Sequence, residues 1–449
     1  MGVLAVRRLA ELSGEERRVL LERATARVFD PELNRGVREI VEDVREHGDA
    51  AVCRALERFD GVACSPAGLR VPAEEIEAAR GAVPPALLRA IRRGIANIRA
   101  FNARLLETAS WRAEIAPGLL VGEEARPIAS AGLFVPGGKG SFPSVLMHIG
   151  TPAVATGVPE VVVLVPPTSG RGLEVDPAVL AVAAELGLAQ VFRVNGPAGI
   201  AACAFGTETI PRVVKVVGPG SPAVAAAQVQ VQAYGCTTAM LFGPSESLVI
   251  ADESADPELL AADLLTEAEH GEDSAALLVT PSEALLAQVD RVLERRLSQL
   301  PEPRHGYAAA TLAGYGGALL VESIEEACAF AGEYAPEHLQ VATRDPEALL
   351  PRLAHAGEIL LGPTPFAAAN YLLGIPNTLP TGRFARVSAG INARTFLTAS
   401  SIGHASPEAL AAVAADVVAL AEHEGFPAHA AAIRARGFVP DPASEGAAR

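Results

Sequence analysis

The chain has 449 residues, of which half are apolar, 20% charged and only 4% aromatic, and its formal net charge is −16. That length exceeds what one compact core accommodates, so two or more domains are expected. The acidity argues against nucleic acid or an anionic membrane as partner, because a phosphate binder needs a basic face.

The amino-terminal stretch MGVLAVRRLAELSGEERR carries charges where an export signal needs an apolar run. Runs such as VPEVVVLVPP fall far short of the ~20 residues that cross a membrane. The five cysteines (Cys53, Cys64, Cys203, Cys236, Cys328) are odd in number, scattered, and form no Cys-x-x-Cys pair. They read as reduced thiols, and the chain as cytoplasmic.

Residues 1–110 carry a helical period, clearest in LNRGVREIVEDVREHGDAAVCRALERFDG, which stops at a glycine. From residue 128 short apolar strands alternate with glycine turns and alanine-rich helices: ASAGLFVPGG, EVVVLVPP, AQVFRVNGPAGIAACAFG and RVVKVVGPGSPAVAAAQVQVQ. A second series follows, with strands in LVIAD, SAALLVT, GALLVES, HLQVATR and EILLG separated by helical stretches. A proline-rich loop, PTPFAAANYLLGIPNTLPTG, closes it, and the last 60 or so residues return to helix.

Repeated strand–helix units imply mostly parallel sheets covered by helices. The expected fold is α/β, with two Rossmann-like lobes, a helical N-terminal segment and a small helical C-terminal domain. The expected divisions are 1–130 (helical part and start of the first lobe), 131–240 (second lobe), 241–390 (remainder of the first lobe) and 391–449.

The glycine turns VNGPAG and VGPGSPA do not match G-x-G-x-x-G, so alone they read as tight strand-to-helix turns. The helix expected over 257–270 is better defined, with Asp256 as N-cap, Pro257 at its first position and Gly271 as C-terminal cap. Glu267 and His270, three apart, then share one face. They form half of a metal site, or a solvated helix end whose histidine complements the dipole; the stretch alone favours the helix end. In APEHLQ, Glu337 and His338 are adjacent residues that point apart on extended backbone and can flank one pocket as acid–base groups. A solvated turn is the plainer reading.

The segments FGPSESLVIAD, LLTEAEHGEDS, YAPEHL, NYLLG…NTLPTG and EGFPAH, in this order over roughly residues 30–435, together resemble the histidinol dehydrogenase family. The resemblance implies a zinc-containing, NAD-dependent homodimer with shared active sites. Its members oxidise an amino alcohol, L-histidinol by default, to the acid through the aldehyde, as in histidine biosynthesis. It implies His338 as the base for the alcohol and Glu337 as the residue that activates water. Ser245 matches a substrate contact. Glu424 and His429 match residues that reach the partner's site. The implied zinc ligands, which also border the substrate, are Glu267, His270, Asn370 and His429.

The chain departs from the family pattern in several places. The family has Gln where Glu267 stands and Asp where Asn370 stands, a paired exchange that keeps the summed ligand charge. A histidine beside the substrate is replaced by Thr378. The positions of three NAD contacts hold Phe134, Ala198 and Ser221 instead of Tyr, Gln and Asn. These departures leave open a paralogue acting on another small amino alcohol or diol, or a non-catalytic binding protein of the same fold.

Overall fold

The computed structural model describes residues 2–23, 28–137 and 140–439; the end of the expected C-terminal part, 440–449, lies outside the described residues. The chain divides into two units, Met1–Ala103 with Pro127–Phe396, and Arg104–Arg126 with Leu397–Arg449.

The first unit holds two parallel sheets. One has six strands in the order Val6–Arg8, Gly317–Leu320, Ala275–Thr280, Glu246–Ala251, His338–Ala342 and Glu358–Leu361. Alternate residues of the inner strands enter different cores: Val249, Ala251, Leu278 and Leu320 on one face, Leu248, Ile250, Val279 and Val341 on the other. Burial on both faces is why these strands read as continuous apolar runs. The other sheet has four strands, Gln190–Arg193, Glu160–Val165, Ser130–Phe134 and Lys215–Val217, and is sandwiched the same way. Helix Pro31–Asp60 covers one side of it, bends at Gly48 (φ 53°) and stops at left-handed Gly61.

In the second unit, strands Leu397–Ala405, Leu119–Pro127 and Trp111–Ala116 form a three-stranded sheet. Helices Pro407–His423 and Pro427–Arg434 pack together through Val418, Ala421 and Ala430. The strands were not among the expected elements. Trp111–Ala116 (WRAEIA) does alternate apolar and charged residues, but it is short and every residue is exposed, and LTASSIGHA, mostly exposed, lacks the alternation that marks a half-buried strand.

Two local expectations are corrected. The helix that begins at Pro257, capped by the Asp256 side chain, ends at Ala268 with Glu269 as its C-cap, not at Gly271. The chain leaves it in a tighter turn, with the His270 N–H bonded to the Glu267 carbonyl at 3.3 Å. The proline-rich segment contains a short helix, Phe366–Tyr371, which starts just after Pro365 and carries Asn370.

Candidate active site

Three neighbouring strands of the six-stranded sheet each open on a titratable residue: Glu246, His338 and Glu358. His338 lies opposite Ser247 on one side and Glu358 on the other. The site therefore sits at the amino ends of these strands, whereas open α/β sheets ordinarily bind ligands beyond the carboxyl ends.

His338 is 3% exposed, and its Nδ1 stands 2.6 Å from Glu358 Oε1. A carboxylate can only accept, so Nδ1 carries the proton and donates it. The other ring nitrogen, Nε2, is 3.7 Å from Glu337 Oε1, and the ring meets Phe366 edge-on at 5.8 Å. Burial opposes the charged imidazolium, but Glu267, Glu358 and Glu337 outweigh it and raise the His338 pKa to about 10. Burial pushes Glu337 up to about 8, against the pull of His338 and aided by Glu246 and Glu267. Ala335, just before Pro336, takes a left-handed turn (φ 48°) after helix Ile324–Tyr334 and leads the chain into Glu337.

Glu337 Oε2 accepts the Glu246 backbone N–H at 2.9 Å. The Glu246 carboxylate accepts the Gly382 N–H at 2.7 Å and faces Arg23 Nε at 3.0 Å. Burial raises the Glu246 pKa despite that arginine.

A second cluster lies at the end of helix Pro257–Ala268. Glu267 is fully buried; its Oε1 accepts Asn370 Nδ2 at 3.0 Å, and its Oε2 is 3.1 Å from His270 Nδ1. The same His270 nitrogen is 2.8 Å from Ser245 Oγ. Burial disfavours a charged Glu267, yet the His270 and His338 rings beside it, with the bond from Asn370, hold its pKa at about 2. His270 is raised in turn, because Glu267 overcomes the penalty of burial. Asn370 Oδ1 accepts Asn377 Nδ2 at 3.2 Å, and the neighbouring Thr378 is buried with its hydroxyl unpartnered.

The donor chemistry of this second cluster suits a divalent cation. Glu267 stays ionised in the interior, and its Oε2 has no hydrogen-bond partner. His270 and Asn370 add an imidazole and an amide. Among the described residues, however, no three His, Cys, Asp or Glu side chains group as a metal set. The fourth donor of the expected set, His429, is an exposed residue of the second unit, as is Glu424.

The three expected cofactor positions come together elsewhere. Phe134, Ala198 and Ser221 line one cavity of about 300 Å³ with Asn195, Gly220 and Asp60. It lies where strands Ser130–Phe134, Gln190–Arg193 and Lys215–Val217 end: from Ser130–Phe134 the chain builds outward through Glu160–Val165 and Gln190–Arg193, then returns to place Lys215–Val217 on the other side. Such a switch point is the usual crevice for a dinucleotide. Ser221 caps the helix Pro222–Val231 that starts there.

The histidinol dehydrogenase family model matches residues 23–437. Histidinol dehydrogenase of a Synechocystis species is 41% identical over 400 residues, spanning 89% of this chain and 92% of that protein. A histidinol dehydrogenase homolog of Cereibacter sphaeroides is also 41% identical, over 95% of this chain and 96% of its own. The crystal structure of histidinol dehydrogenase from Elizabethkingia anophelis matches with a TM-score of 0.90 at 31% identity, covering 97% of this chain and 98% of that one. The chain belongs to the histidinol dehydrogenase family. It is thereby a member of a family of NAD-dependent oxidoreductases, with that family's α/β fold.

Within this family frame, sequence reasoning located Ser245, Glu267, His270, Glu337, His338 and Asn370, which the fold gathers near the amino ends of the strands of one sheet. It missed Arg23, Glu246 and Glu358. The signal for the two glutamates was present: an acid opening the apolar strands ESLVIA and EILL has no place in a core unless it has partners. Arg23 carried no such mark.

Proposed function

We propose that this protein oxidises a small amino alcohol to the corresponding acid through the aldehyde, with NAD as hydride acceptor and L-histidinol as the leading substrate, in histidine biosynthesis. The observation that carries the reading is the buried imidazole of His338, held between Glu358 and Glu337 beside the Glu267–His270 pair.

His338 Nε2 takes the hydroxyl proton as hydride leaves the carbinol carbon. Glu358 fixes the ring by accepting its Nδ1 proton. The resting imidazole is protonated, because three carboxylates face it. The substrate's ammonium, entering among them, offsets their charge and lets His338 release its proton before the reaction. Glu337 then accepts a proton from the water that adds to the aldehyde, and the hydrate gives up the second hydride. Its high pKa makes it a stronger base than an ordinary carboxylate. A zinc ion held by Glu267, His270, Asn370 and His429 of the partner subunit would anchor the substrate's amine or ring nitrogen, and two NAD molecules, bound in turn in the cavity of Phe134, Ala198 and Ser221, would accept one hydride each. The partner's Glu424 would border the substrate in the same homodimer.

A second reading within the family, another amino alcohol or a diol, is favoured by Thr378. Its unpartnered hydroxyl stands where the resemblance expects a histidine, and several relatives bear the name homolog, among them those of Cereibacter sphaeroides and Mesorhizobium japonicum. A pocket built to bond one polar group discriminates strongly against analogues.

The test is NADH formation from L-histidinol by zinc-loaded protein, with an EDTA-stripped control. Two NADH per substrate, lost on stripping, supports the first reading. Stoichiometric zinc without turnover of histidinol rejects it in favour of the second, and a screen of amino alcohols and diols follows.

A further inference from the structure

Arg23 follows helix Gly14–Glu22 and adopts φ 54°, ψ −149°, backbone territory that belongs almost entirely to glycine. A side chain persists in such a conformation only where its surroundings over-determine it. Those surroundings are specific. The guanidinium is buried, lies 3.9 Å above the Tyr334 ring, and donates from Nη1 to the Tyr334 carbonyl at 3.1 Å. Its Nε is 3.0 Å from Glu246 Oε1.

Both partners lead to the same place. Tyr334 ends its helix, and Ala335 and Pro336 then carry the chain into Glu337. Glu246 gives its backbone N–H to the Glu337 carboxylate. Arg23 therefore grips the backbone that delivers Glu337 and also the residue that aims its carboxylate. A lysine reaching the same place would hold one of these partners as a point charge, whereas the planar fork holds both and stacks on the ring.

We propose that Arg23 is a positioning residue for Glu337, acting through Tyr334 and Glu246 on the aldehyde-oxidising half of the reaction. This rests on the assignment of water activation to Glu337 made above. If Arg23 only filled space, its loss would weaken the fold and slow both oxidations alike.

The test compares the full-length wild type with Arg23→Lys and Arg23→Gly, the glycine being compatible with the backbone at this position. Each is given L-histidinol or the corresponding aldehyde with NAD. In Arg23→Gly, aldehyde oxidation is expected to fall ~100-fold, the scale of a misplaced catalytic group. The alcohol step is expected to fall less, so that NADH yield per histidinol drops from two towards one. Added guanidinium ion should restore part of the aldehyde step, and Arg23→Lys should lie between wild type and Arg23→Gly. Equal losses in both steps, or no loss, overturn the proposal. Crystal structures of wild type and Arg23→Gly give a readout free of turnover: the Glu337 carboxylate should leave the Glu246 N–H while the strand stays in place. A Glu337 that remains bonded overturns the proposal even if the wild type oxidises neither substrate, a result that by itself rejects only the substrate reading.

Discussion

Glu358 and His338 are direct partners across two parallel strands, and that register sets Oε1 of one 2.6 Å from Nδ1 of the other inside the protein. A hydrogen bond to a charged group in such a place contributes ~1.5–3 kcal/mol. Glu358→Gln keeps the shape but removes the anion and allows the amide to turn its N–H₂ towards the ring. We expect kcat to fall ~10–100-fold with little change in KM, as that energy implies. Because Glu358 helps raise the His338 pKa, the pH profile should also move to lower pH. Steady-state kinetics across pH check both; a variant with wild-type kcat would make Glu358 a packing residue.

Glu337 makes a separate prediction. Burial raises its pKa to about 8 from an ordinary 4.5, so in the metal-free protein its carboxylate forms only as pH rises through about 8. Aldehyde oxidation, measured with zinc present, should climb with pH below that value, because a cation nearby favours the carboxylate, and Glu337→Gln should abolish it. The stability consequence has the opposite sign. A carboxyl raised on folding stabilises fully below its unfolded pKa, and that contribution is lost as pH rises from there through about 8. The wild type should therefore lose Tm relative to Glu337→Gln between pH 5 and 8. Parallel melting curves for the two would show that Glu337 does not titrate there.

Much of this was legible because both sheets are sandwiched between helices. Strands such as Val161–Val165 and Leu277–Val279 are runs of apolar residues that hardly read as anything else. The helix ending near Glu267 was legible from Asp256 and Pro257, although its last turn was set by a tertiary arrangement, the pairing of Glu267 with Asn370 from 103 residues away. What stayed hidden depends on similar distant partners. Arg23 meets Glu246 across more than 200 residues, and no local pattern encodes that. The sheet of the second unit stayed hidden for a different reason: its two outer strands face solvent, LTASSIGHA has no regular period, and the alternation in WRAEIA is too short to decide.

His148 predicts how the fold responds to acid. It lies 1% exposed in the helix Pro143–Thr156, and neither ring nitrogen has a hydrogen-bond partner. Burial pushes its pKa down to about 4, against a weaker pull from the Asn370 backbone, to which it makes no hydrogen bond. The unfolded chain binds this proton near pH 6.5 and the folded one only near 4, so stability falls as pH drops across that window, by up to ~3 kcal/mol. Replacing His148 with Leu, of similar volume and without polar atoms, should flatten the wild-type slope between pH 6.5 and 4. Urea midpoints measured through that range test it; identical slopes would mean that His148 finds a proton partner in solution.

Glu267 and Asn370 provide the sharpest test of a metal at the second cluster. As they stand, one carboxylate accepts one amide N–H at 3.0 Å. Asn370→Asp would set two carboxylates at that distance, a like-charge contact that without metal forces one of them to hold a proton. Its melting temperature in EDTA should fall and be recovered by zinc. Glu267→Gln removes the ionised ligand and the anion that faces His270 and His338, so it should melt below the wild type in EDTA and bind zinc at least ~10-fold more weakly, the scale of one charged contact. The double variant restores one carboxylate and one amide in exchanged positions, and its zinc affinity should return most of the way to wild type. The two single effects would then fail to add, as expected of groups that touch each other and one ion. Calorimetric zinc titrations of all four proteins decide the matter. If Glu267→Gln binds zinc as tightly as the wild type, Glu267 is no ligand, and its buried charge serves only to hold His270 and His338 protonated.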